Sequence, residues 1–114
     1  MPAAPLVAAA TLAAVEAERA AAGTLYRQFL SCGSLSVGLY VLEAGAVDPQ
    51  SPHEEDEVYQ IVSGRAVLSA GDEEIPVGPG SVVFVAKHVD HRFHSVSERL
   101  EVVVFFAPEH AAGR

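Results

Sequence analysis

The 114-residue chain holds one cysteine, Cys32, which excludes an internal disulfide and any cysteine-built zinc finger. Basic residues are scarce as well. Lys and Arg number 7 against 15 Asp and Glu, giving a formal net charge of −8 and a pI near 4.9. Such a chain lacks the clustered basic footprint that a nucleic-acid backbone demands, and it does not suit an anionic membrane surface. No apolar run approaches the roughly 20 residues of a membrane span, and no basic segment precedes the opening alanines, so no signal peptide is read there. Cytoplasmic location is the resulting expectation, and a lone thiol is compatible with it. There is no Gly-rich phosphate loop, no nucleophile–base constellation, no internal repeat and no low-complexity linker. What remains is half apolar and only 19% charged, a folded chain with enough length for one modest core. Cys32, set in a serine–glycine stretch, reads as a small buried or half-buried residue.

Residues 1–23 differ in texture from the rest. From Leu6 to Ala22 the chain is mostly alanine, the strongest helix former, with Pro5 suited to a first turn and Gly23 to a C-terminal stop. This predicts one helix, packed on a flank of the domain formed by residues 24–114 or on a partner subunit. There the period changes to short runs rich in Val, Leu, Phe and Tyr at 24–30, 35–42, 57–62, 65–69, 73–77, 82–86, 91–96 and 100–106. Gly, Pro, Asp and Ser separate them, the pattern of an antiparallel sandwich or barrel. Runs 82–86 and 102–106 are apolar on both faces, so both sides need cover. The barrel interior supplies one; the helix or a second subunit supplies the other, and a homodimer is expected.

Alternate residues of an extended chain share a face. Ser51, His53, Glu57 and Tyr59 therefore point to one side of their segment. His91, Phe93 and Ser95 share a face of theirs, with His94 on the opposite one. If the two segments are neighbours, His53, Glu57 and His91 converge inside one barrel. Two imidazoles and a carboxylate leave coordination positions open, the ligand type of a non-haem Fe(II) centre, with Zn, Mn, Ni or Cu also possible. Tyr40, Tyr59 and Phe93, with Ser51, are the candidates to line the cavity beside them. His94 reads as a rim residue, His88 as a loop residue and His110 as a tail residue without a role. Arg92 points to the surface or an interface. Glu54, Glu55 and Asp56 read as a solvated acidic loop. Gln50 falls on the wrong side by alternation, although Pro49 and Pro52 make that segment irregular.

These residues carry a family resemblance. Gly45, His53, Glu57 and Gly64 keep every spacing of the first cupin motif, G-x5-H-x-H-x3-E-x6-G, with Ser51 at its first histidine. Gly80 and His91 keep their separation in the second motif, G-x5-P-x-G-x2-H-x3-N, with Ala86, His88 and Ser95 at its Pro, Gly and Asn. Over residues 24–107 the sequence thus resembles the small single-domain members of the cupin superfamily, of the cupin-2 type. The resemblance implies an all-β double-stranded β-helix, or jelly-roll barrel, here preceded by a short N-terminal helix. It also implies a mononuclear divalent metal held by His53, Glu57 and His91. With serine at position 51 the fourth protein ligand is absent. Either the three ligands form a facial triad with extra water positions, or the affinity is lowered.

A fold of this kind hosts many chemistries. The first expectation is an Fe(II)-type dioxygenase acting on a small organic acid or phenolic, with Tyr59 or a rim histidine handling protons. The alternatives are a non-catalytic module that binds a small ligand, and a metal-dependent isomerase or lyase.

Overall fold

The computed structural model describes residues 7–50 and 52–110. The alanine-rich opening forms helix α1 (Leu12–Ala22), shorter than expected because Thr11 caps it, its hydroxyl accepting from the Ala14 amide. Gly23 closes the other end in the left-handed conformation. Pro5 and Leu6 lie outside the described residues.

Six strands follow: β1 (Tyr26–Ser31), β2 (Ser36–Leu42), β3 (Asp56–Ala70), β4 (Glu73–Val77), β5 (Val82–Val85) and β6 (His91–Ala107). They form one antiparallel sheet in the order β1-β2-β6-β3-β4, with β5 paired to β3 off that path. The expected strands at 57–62 and 65–69 are one strand, as are those at 91–96 and 100–106. Ser63-Gly64 and the segment around Ser95 are bulges in a continuous ladder, not turns. The β3/β6 pairing runs from Asp56 opposite Ala107 to Ala70 opposite His91, with register shifts between Ile61 and Val67. Gly64 has φ +90° and sits so close to β6 that a Cβ would overlap the Arg99 carbonyl. Ser95 has φ +51°.

Each bulge also switches which residues face inward. In β3 the buried set changes from Glu57, Tyr59 and Ile61 to Ala66 and Leu68. In β6 it changes from His91 and Phe93 to Val96, Leu100, Val102 and Val104. Ser95, expected on the face of His91 and Phe93, is exposed for this reason. The switch keeps one continuous apolar core along a strongly bent two-stranded ribbon.

Helix α1 covers the outer face of β2 through Val15, Leu39 and Val41, with Phe29 of β1 beside them. Each such aliphatic side chain contributes roughly 1.5–3 kcal/mol when fully buried. Glu16 fastens the helix to the barrel through Arg19 on its own turn and Arg99 of β6. Among the described residues the outer face of β5 has no such cover: Val82 is 66% and Phe84 63% exposed. Cys32 is exposed, not buried, because it sits in the β1–β2 turn.

Candidate metal centre

The bend in the ribbon creates the site. Glu57 lies near one end of the β3/β6 ladder, opposite Phe106, and His91 lies at the other end, opposite Ala70. Rolled into a barrel, the two ends face each other, and Glu57 Oε1 comes 2.6 Å from His91 Nε2. His53, on the segment leading into β3, brings its Nε2 to 3.8 Å from the same carboxylate oxygen. One donor atom from each of the three lies within 4.8 Å of the others.

The protonation pattern is informative. His91 Nδ1 is 2.8 Å from the Val89 carbonyl, so it carries the hydrogen and donates it there. In the neutral ring Nε2 is then a lone pair aimed at a carboxylate. Neither Glu57 oxygen nor His91 Nε2 has a hydrogen bond of acceptable geometry among the described residues, and all three atoms are buried. Two acceptors pressed together in a dry site require a positive charge between them. A proton or a metal ion supplies it. Burial pulls the His91 pKa down, but the Glu57 contact and the bond to Val89 outweigh it and raise it above the ordinary value. Burial lowers the pKa of His53, against the pull of Glu57. The donor set therefore fits a divalent cation of the borderline first-row type.

A polar frame orients the pocket. Asp48, 4% exposed, accepts from the Tyr40 hydroxyl at 2.5 Å, the Gln50 side-chain amide at 2.7 Å and the Phe93 backbone amide at 2.8 Å. With its NH2 committed to Asp48, Gln50 turns its Oε1 toward the Tyr59 hydroxyl, which donates at 2.8 Å, and toward His53 Nε2 at 3.4 Å. Gln50 thus faces inward, against the simple alternation, because the segment containing Pro49 is not a regular strand. Burial and the nearby Glu57 charge hold the Tyr59 pKa well above its ordinary value.

Of the other candidates, Tyr40 lines an apolar cavity of about 120 Å³ together with Tyr26, Gln50, His53, Val104, Phe106 and His110. Phe93 is buried behind Tyr59, their rings 5.0 Å apart. Ser51 lies outside the described residues. His94 sits on the rim against Glu74, and His88 in a loop against Glu54. Arg92 is exposed in an open polar groove of about 410 Å³ that also reaches Gln50 and His91.

Two sequence readings are corrected. Glu55 is buried, 2% exposed, not part of a solvated run. His110 is not a bare tail residue: its ring stacks on Phe106 at 4.5 Å and its Nδ1 lies 2.9 Å from Glu55 Oε1.

The profile of the Cupin domain family matches residues 38–107, the span that carries β2 through β6. The chain belongs to the cupin superfamily. This cupin is 53% identical over 94 residues to an uncharacterized protein of Streptomyces coelicolor, covering 82% of this chain and 90% of that one. Its fold is similar to KdgF from a Halomonas species, with TM-score 0.68 and 20% identity over 75% of this chain and 78% of that one. It is also similar to an RmlC-like cupin with a double-stranded β-helix fold from Methanocaldococcus jannaschii. There the TM-score is 0.66 and the identity 20%, over 73% and 78% of the two chains. Among the described residues of this cupin, no helix is long and apolar enough to cross a membrane.

Proposed function

We propose that this cupin binds one divalent metal ion through His53, Glu57 and His91 and acts on a small organic acid or phenolic as an Fe(II)-type dioxygenase. The observation that carries the reading is the dry contact between Glu57 and His91, where two hydrogen-bond acceptors meet with no donor of proper geometry between them. Bound there, an iron ion would supply open positions for substrate and oxygen, since three protein ligands leave part of its coordination shell free.

The chain's own residues divide the remaining work. Glu57 offsets the charge of the cation. Val89, through its carbonyl, fixes the His91 tautomer that presents Nε2. Tyr59 keeps its proton at neutral pH and so serves as a hydrogen-bond donor and, in catalysis, as an acid rather than a base. Arg92, in the polar groove that reaches His91, offers a cation to an incoming carboxylate. The apolar cavity beside His53 favours a ring or short alkyl body.

A second reading, a non-catalytic module that binds a small molecule, draws on that same apolar cavity. A metal-dependent isomerase or lyase shares the first reading's site and differs in consuming no oxygen. We also infer a homodimer: Phe84 and Phe105 lie on the outer face of β5 and β6, both opposite Val58 of β3, as an apolar ladder that no described residue covers. The lone cysteine supports a cytoplasmic, reducing setting.

The test is elemental analysis of the purified protein as isolated and after anaerobic Fe(II) loading, beside a His53→Ala/His91→Ala control. Near-stoichiometric metal lost in the control is the expected result, followed by oxygen uptake with small acids or phenols. Absence of metal from both preparations overturns the metalloprotein reading. Metal without oxygen uptake favours the isomerase, lyase or binding alternatives.

A further inference from the structure

We propose that Glu55 and His110, sharing His53, form a second position for the divalent ion at the barrel mouth, completed by the chain's own C-terminal tail. This rests partly on the first site, because His53 belongs to both groups. One donor atom from each of His53, Glu55 and His110 lies within 4.8 Å of the others, as in the first triad. The Glu55 side chain is 1% exposed, and those of His53 and His110 are 16% and 14% exposed.

The imidazole of His110 is brought there by several ties. The Glu109 amide donates to the Gly33 carbonyl at 3.0 Å, and the Gly33 amide donates to the Glu109 carboxylate at 2.5 Å. The His110 amide donates to Ser36 Oγ at 2.9 Å. The ring then stacks on Phe106 and lies 5.3 Å from the His53 ring, nearly perpendicular to it. This segment is thereby strapped back against β2 and the β1–β2 turn, and it presents an imidazole, one of the commonest metal ligands.

Because His53 is common to both triads, one ion moves between an inner position with Glu57 and His91 and an outer one with Glu55 and His110. The outer position lies against the apolar cavity, which both His53 and His110 line. The arrangement offers a route by which an ion reaches the more enclosed inner triad through ligands already in hand, without full dehydration at any step.

The experiment is anaerobic Co(II) titration of the full chain, read by visible absorption and by equilibrium binding, for wild type, His91→Ala, His110→Ala and the double variant. Glu57→Gln and Glu55→Gln repeat the comparison without cavities, and circular dichroism confirms folding in each. Wild type is expected to bind one equivalent. The His91→Ala and Glu57→Gln proteins should still bind one equivalent with a changed spectrum. Their affinity should fall by at least the roughly 10–100-fold that losing a mere outer partner costs. Adding His110→Ala should abolish that residual binding. If wild type binds but His91→Ala and Glu57→Gln bind nothing, the outer position is refuted and the inner site stands. The same refutation follows if residual binding ignores His110→Ala and Glu55→Gln. Binding lost in His110→Ala but untouched in His91→Ala refutes the inner site alone. No binding in wild type removes both.

Discussion

Glu57→Gln separates a metal ligand from a structural carboxylate, because the two roles predict opposite signs. Without an ion, only a proton taken up by His91 offsets two buried acceptors, Glu57 Oε1 and His91 Nε2, 2.6 Å apart, and that contact is poorly directed. The introduced amide keeps the shape, removes the buried charge and can donate an N–H to the imidazole. A neutral hydrogen bond of that kind contributes about 0.5–1.5 kcal/mol. The ion-free variant should therefore be at least as stable as ion-free wild type. With an ion the order reverses. At a free concentration one hundred times Kd, binding to the folded state alone adds about 2.7 kcal/mol. At roughly 2.1 cal/mol/K per residue, unfolding 114 residues has an entropy of about 0.24 kcal/mol/K. The corresponding rise in wild-type Tm is then roughly 11 °C, most of which the variant should lose. Thermal unfolding by circular dichroism, in chelator and then in Mn(II), measures both numbers. An equal rise in the variant would refute the ligand role. An ion-free variant destabilised by more than about 2 kcal/mol would mean that the carboxylate has an ordinary structural partner.

Other expectations follow from the same geometry. Gly64→Ala places a methyl group against the Arg99 carbonyl at φ +90°, and the backbone strain alone costs about 1–3 kcal/mol. A urea midpoint unchanged by it would show that the bulge is not the pivot of the ribbon. The hydrogen bond from Arg19, aided by Arg99 and opposed by partial burial, holds the Glu16 carboxyl below its ordinary pKa. That stabilisation is present above the ordinary carboxylate range and lost as pH falls through the lowered folded value. Glu16→Gln should cost up to about 1 kcal/mol at pH 7 and little at pH 3, measured by denaturant titration; equal losses at both would contradict the ion-pair assignment. Phe84→Asp should halve the mass seen by light scattering, and a wild type that is already monomeric would remove the dimer. Metal affinity should fall as pH drops below neutrality, since the ion competes with protons for His53 and His91, and an affinity flat from pH 8 to 5.5 would argue against imidazole ligation.

The barrel was legible in the short Val- and Phe-rich runs, and the convergence of His53, Glu57 and His91 in their odd-numbered alternation. Alternation works only while the chain stays extended. It misplaced Gln50, whose segment is turned inward by the Asp48 network, and it could not see the face switch at Ser95. Glu55 did carry a signal, having the same parity as His53 and Glu57, but its acidic neighbours suggested a solvated loop. His110 carried none. Its position depends on hydrogen bonds to Gly33 and Ser36, residues more than seventy positions away in sequence. The fusion of neighbouring strands was hidden for a related reason: Ser63-Gly64 reads as a turn, and only the opposing strand decides whether it becomes a bulge.

The rolled ribbon also has a kinetic consequence. Glu57 and His91 sit at opposite ends of the same ladder, so they can meet only after β3 and β6 have paired and then bent. Their contact is therefore expected on the late, native side of the folding barrier. An ion held between them should leave the refolding rate nearly unchanged and slow unfolding by close to its full binding energy. With an ion bound there the fold would be longer-lived in the cell, and without one the chain would open and be degraded sooner.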